Sequence, residues 1–194
     1  MKFTRLFSNE KYKGTRGYLD TQRKYEIVRT VLYFGISLSL FISGWFLVKT
    51  RMNLLTIVAV LGCLPASKSA VSMIMYLHYH SLSPQSADKI EAHSDGLSVL
   101  YDMVFTSYEK NFQISHMAVR GNTICGYTED NKFDEKSFAK QITGSLRTDG
   151  FKDVSIKIFT DLKKYTDRLD QLQELETDET NTKGILATLK SVSL

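Results

Sequence analysis

The 194-residue sequence predicts an α+β protein, a two-helix transmembrane hairpin followed by a small cytosolic module of order α-β-β-α-β-α. Three observations predict it. Two long apolar runs, 30–48 and 54–77, hold one charged residue between them, Lys68. Five residues part them, too few for anything but a tight turn. The rest of the chain alternates short helical and strand periodicities between turn signals, with acidic and basic residues interspersed. The boundaries that follow are a basic N-terminal cytosolic segment at 1–29, the hairpin at 30–77, the cytosolic module at 83–176, and a polar linker with a weak amphipathic tail at 177–194.

Crossing roughly 30 Å of hydrocarbon takes about 20 helical residues, and TVLYFGISLSLFISGWFLV, Thr30 to Val48, meets that length without a charge. It follows some thirty residues of charged chain and has no small-residue cleavage site behind it, so it reads as a retained helix and not a signal peptide. After KTRMN, Lys49 to Asn53, the run LLTIVAVLGCLPASKSAVSMIMYL returns across the bilayer. Reflecting depths about Arg51 sets Arg29 level with Met73, so Lys68 lies five residues inside the boundary, roughly 7 Å. A flexible lysine stem spans that distance and keeps its ammonium near the headgroups. Tyr33 and Ser69, at similar depth, are its candidate polar partners.

Gly35, Ser39 and Ser43 in the first helix, and Ala59, Cys63, Ala66 and Ala70 in the second, recur at the spacing that lets helix backbones approach closely. They are the expected hairpin seam. Lys68 then points away from it, toward lipid or another subunit. Orientation follows from positive charge: Lys2, Arg5, Lys11, Lys13, Arg16, Arg23, Lys24 and Arg29 stand before the first helix, against Lys49 and Arg51 in the turn. Both termini are expected in the cytosol, with Tyr25, Tyr76 and Tyr79 at the inner interface and Trp45 near the outer one. Two widely separated cysteines, Cys63 and Cys125, fit a reducing compartment better than a disulfide framework.

In the module, Ser83-Pro84 opens a helix expected to run to about Glu109, with Ile90, Leu97, Leu100, Val104 and Tyr108 on one side and a bend at Gly96. Apolar and β-branched residues on both sides of Arg120-Gly121-Asn122 predict a hairpin of strands 112–119 and 123–127. Asp134 caps a helix whose staple is Phe133 with Phe138, whose buried face adds Ile142 and Leu146, and whose stop is Gly150. DVSIKIF alternates as a third strand. A last long helix capped by Thr160 carries Leu162, Tyr165, Leu169 and Leu172, packed on the sheet or paired as a short coiled coil.

Chemistry is sparse. No phosphate loop, nucleophile elbow, cysteine pair or zinc motif is present, so no catalytic residue, cofactor or metal ligand is assigned. His78 and His80 diverge by about 200° on a helix and do not share an ion readily. His93 has Glu91 and Asp95 nearby, and His116 reads as a structural residue in a strand. Glu129, Asp130 and Lys132 resemble the acidic and lysine cluster of metal-dependent nucleases but lack a second carboxylate strand.

The leading reading is an integral membrane protein presenting a cytosolic binding or regulatory module, with the bilayer, including anionic headgroups met by the basic arm, and an unidentified protein or a second copy as partners; nucleic acid is not expected. A second reading is an oligomeric pore or effector in which Lys68 lines the assembly and the module gates it. The hairpin is similar to that of bacterial two-helix membrane effectors of defence systems; the resemblance covers the hairpin alone and brings no residue roles. A third reading, a tethered metal-dependent enzyme, needs the acidic strand end to bind metal.

Overall fold

The computed structural model describes residues 12–48, 54–107, 110–175 and 179–194. Among these residues the mixed α+β chain forms two compact units, one of 19–48 and 54–80, the other of 12–18, 81–107, 110–175 and 179–194. The turn at Lys49 to Asn53, most of the basic arm before Tyr12, and the expected helix end at Tyr108 and Glu109 lie outside the described residues.

The first unit is built on α1 (Tyr18–Val48) and α2 (Leu54–Leu77). Both are long and apolar enough to cross a membrane. α1 begins twelve residues before the apolar run, so part of the basic segment is helical. From Ile27 onward the large apolar side chains of the two helices face outward, Phe46 at 76% exposure and Leu64 at 69%. A water-soluble helix pair would bury such a stripe. Within the apolar runs the buried positions are small or polar instead: Thr30, Ser37 and Gly44 on α1, spaced by sevens, and Ala59, Ala66, Ser69 and Tyr76 on α2. That spacing is the seam of two helices packed at a shallow angle.

In the second unit a four-stranded sheet runs in the order β1 (Ser98–Phe105), β2 (Phe112–Arg120), β3 (Thr123–Tyr127), β4 (Ser155–Phe159), with β4 parallel to β3 and the other neighbours antiparallel. Helices α4 (Glu135–Thr148) and α6 (Thr182–Ser191) cover one face. There Phe138, Ile142 and Leu146 meet Leu100, Phe105, Ile114, Ile124 and Ile185. Helices α3 (Pro84–Ala92) and α5 (Leu162–Glu174) cover the other, where Ile90, Tyr165, Leu169 and Leu172 meet Tyr101, Ala118 and Cys125.

The expected elements from residue 112 onward are present, with the α5 cap at Asp161 in place of Thr160. The expected long helix from Ser83 is not. It stops at Ala92, Gly96 turns at φ +69°, and Ser98–Phe105 is a strand, giving the sheet a fourth member. The cause is two-sided burial. Every residue from Leu100 to Phe105 is buried, so the strand has no polar alternation and its apolar positions satisfy a helical period equally well. The amphipathic tail, which could dock or fray, docks: it forms α6, with Ile185 and Leu189 fully buried.

Candidate functional site

The stems of the hairpin come first. Residues 12–18, which lead into α1, and 81–92, which follow α2, belong to one compact unit. Arg16 joins them: its Nη2 lies 2.5 Å from Asp88 Oδ1 and its Nη1 2.8 Å from Glu91 Oε2, and the guanidinium donates to the Pro84 carbonyl at 3.3 Å. On the other stem the Leu82 N–H donates to buried Asp102 at 2.9 Å. Asp102 has φ +54° and interrupts the β1 ladder, turning its carboxylate to that N–H. Gly14, at φ +79°, accepts the Tyr101 N–H at 2.9 Å; a Cβ there would stand 2.6 Å from Leu100 Cδ2, so the close approach needs glycine. The Leu194 N–H donates to Val104 O, and Lys13 Nζ to Ser193 O, so both chain ends of this unit cover the free edge of β1.

In the hairpin unit a polar cluster stands toward the Tyr18 end of α1 and the Leu77 end of α2. Arg29 pairs with buried Glu26 and donates from Nε to Ser69 Oγ at 3.2 Å. Ser69 also bonds Thr30 at 2.9 Å, and Gln22 donates to Glu26 at 3.0 Å. Lys68, Tyr33 and Ser69, the polar residues singled out from sequence, line one open depression of about 200 Å³ with Arg29 and Pro65. Because Ser69, not Met73, stands opposite the Arg29–Thr30 step, Lys68 is nearly level with Arg29, about 3 Å of helix rise away. The five-residue depth expected from reflection about Arg51 shrinks accordingly.

The seam itself is displaced from the expected one. Ala59 and Ala66 are buried, but Gly35, Ser39, Ser43 and Cys63 are exposed and Ala70 is half-buried. Ser37 makes the close contact, donating to Ala59 O at 3.1 Å, and a Cβ on Gly62 would stand 2.5 Å from Ser37 Oγ. With Gly62 and Ser69 completing the α2 face, Lys68 sits at the flank of the seam and not opposite it.

The module carries a cleft of about 860 Å³ between α4 and the start of β2, lined by hydroxyls of Ser107, Ser137, Ser145 and Thr148 with Lys110 and Lys140. Its carboxylate, Asp134, caps α4 and is held below the usual range by its hydrogen bonds from Ser137. In the opposite core, His116 is wholly buried, with Nδ1 2.6 Å from the Tyr165 hydroxyl and Tyr101 edge-on at 4.5 Å. Burial lowers its pKa to about 3 and pushes those of Tyr165 and Cys125 up. These groups are neutral and enclosed, a packing arrangement and not a reactive one.

The other histidines are dispersed. His93 pairs with Asp170 at 2.8 Å, His80 Nδ1 accepts from Arg23 at 3.1 Å, and Glu91 is taken by Arg16. The Asp130 carboxylate accepts the Lys132 N–H at 2.8 Å in an exposed turn. Among the described residues no three His, Cys, Asp or Glu side chains are placed to hold a metal ion. Cys63 and Cys125 are free thiols.

The chain matches no family model, no curated protein and no solved structure. Its function is therefore read from its own geometry. Sequence reasoning missed Ser37, Gly62, Glu26, Arg16 and Asp102. A signal for one pair was present: Glu26 and Arg29 sit three apart at the mouth of an apolar run, the spacing of an intrahelical ion pair.

Proposed function

We propose that the chain is a two-pass integral membrane protein that presents an α+β binding module at the cytosolic face. One observation carries the reading: the residue group before α1 and the group after α2 are parts of one folded unit, joined by Arg16 to Asp88 and Glu91. A helix pair whose two ends are rooted in one water-soluble fold leaves and re-enters the same aqueous phase. The outward apolar surface of α1 and α2 supports lipid as their solvent. The excess of Lys and Arg before α1 supports the cytosol as the phase of the module. Binding is favoured over reaction because the module offers an open hydroxyl- and lysine-lined cleft while its buried His116 and Cys125 are shielded from it.

Cysteine labelling tests this in a Cys63→Ala, Cys125→Ala background. With an impermeant maleimide on intact cells, Thr50→Cys is expected to label directly, and Thr15→Cys and Lys152→Cys only after permeabilisation. Labelling of positions 15 and 152 from opposite sides, or release of the protein from membranes by alkaline carbonate, overturns the reading.

A further inference from the structure

We infer that the depression bounded by Arg29, Tyr33, Lys68 and Ser69 holds the phosphate of an anionic membrane lipid; this rests on the membrane reading above. The charge balance points to it. Two cations, Arg29 and Lys68, face one carboxylate, Glu26, which Arg29 already engages. A single positive charge is left over, matching the one negative charge of a phosphodiester. Lys68 is exposed and makes no ion pair among the described residues, so its ammonium is the group in need of a counter-charge. The two cations stand nearly level, and Tyr33 and Ser69 line the same depression. An opening of about 200 Å³ admits the phosphate while the rest of the headgroup stays outside.

Inorganic phosphate offers the same chemistry, but the surroundings select the lipid. Deeper along α2, Leu64, Leu61 and Ile57 lie four, seven and eleven residues before Lys68, all on its face, at 69%, 58% and 58% exposure. Helical spacing makes them a continuous apolar track running from the cation toward the membrane interior. A hydrated ion gains nothing from such a track, whereas an acyl chain hanging from the bound phosphate lies along it. Basic pockets between membrane helices on the cytoplasmic side are a general solution for anionic lipids.

The test is native mass spectrometry of the delipidated full-length protein in mild detergent, titrated with phosphatidylglycerol, phosphatidylcholine or inorganic phosphate. One retained phosphatidylglycerol is expected, at least about tenfold preferred over phosphatidylcholine and not displaced by inorganic phosphate at millimolar levels. Lys68→Gln should lose that preference, Lys68→Arg should keep it, and Lys24→Gln, an equal loss of charge on α1 away from the depression, should leave it unchanged. Equal binding in the wild type and Lys68→Gln, indifference to the headgroup, or displacement by inorganic phosphate overturns the inference. Carbonate extraction run in parallel separates the causes. A protein that stays in the membrane but shows no Lys68 dependence refutes the lipid site alone, and one that is extracted refutes the hairpin and the site together.

Discussion

Arg16, two residues before α1, holds the Asp88 carboxylate of α3 at 2.5 Å, tying the chain entering the hairpin to the chain leaving it. Both partners are substantially exposed, so the pair acts locally and weakens as salt is raised. Arg16→Ala is expected to speed amide exchange over residues 12–18 and 84–92 while β2 and β3 keep their protection. High salt should reproduce the effect in the wild type and add little in the variant. Unchanged exchange at both stems would mean that the ion pair does not fasten them.

His116 makes the module acid-sensitive. Its folded pKa, about 3, lies below the ordinary 6.5, so the unfolded chain binds a proton that the folded one refuses. Stability is therefore full above pH ~6.5 and is lost as pH falls toward ~3, at about 1.4 kcal/mol per pH unit. Going from pH 7.5 to 5 should remove about 2 kcal/mol from this group alone. Tyr165, raised by burial, works at the other end: its contribution is present below the ordinary value of 10.0 and fades as pH climbs past it. The double variant His116→Leu, Tyr165→Phe leaves neither polar partner orphaned and should flatten both limbs. Chemical denaturation across pH measures this, and an unaltered acid slope in the double variant would assign the titration elsewhere.

Helix α5 shows how a periodic pattern acquires its meaning from packing. Leu162, Tyr165, Leu169 and Leu172 fit a coiled-coil seam or a sheet-facing stripe equally well; in the fold the last three are fully buried against Tyr101, Ala118 and Cys125. Leu169→Ala should thus cost the module about 2–5 kcal/mol, the range for a large-to-small change in a packed core. An isolated 160–175 peptide should stay monomeric in sedimentation equilibrium. A stable peptide dimer, with a small effect of Leu169→Ala in the intact protein, would transfer this face to an interface.

What the sequence disclosed depended on how local the determining forces are. The α4 boundaries were legible because Asp134, the Phe133–Phe138 staple and Gly150 act within one or two helical turns, and the cap, the ring contact at 5.4 Å and the positive φ are all there. β1 was not, since its two-sided burial comes largely from α5 and α6, which are distant in sequence and erase the alternation that marks a strand. The polar candidates Lys68, Tyr33 and Ser69 could be singled out from sequence because charge in an apolar run is costly wherever it lies, and they line one depression. The seam residues were harder. Small residues occur on several faces of α1, and only the register with α2 selects Ser37 over Gly35, a choice no single helix encodes.

That choice yields the sharpest test of the hairpin. A Cβ added at Gly35 meets nothing within 4 Å, so Gly35→Ala should change stability only through helix propensity, a gain of about 1 kcal/mol or less. At Gly62 the new methyl falls 2.5 Å from Ser37 Oγ, and Ser37 can move aside only by giving up its bond to Ala59 O. Overpacking of this kind costs about 1–3 kcal/mol, to which the lost interhelical hydrogen bond adds about 0.6 kcal/mol. Gly62→Ala should therefore destabilise the helix pair, and adding Ser37→Ala should restore most of the loss by removing the obstructing hydroxyl. Trp45, the single tryptophan of the chain, lies on α1 and reports the pair directly through fluorescence-monitored melting of the full-length protein in detergent. If Gly35→Ala proves the more harmful change, the helices meet along Gly35, Ser39 and Ser43, and Lys68 turns away from the seam instead of flanking it.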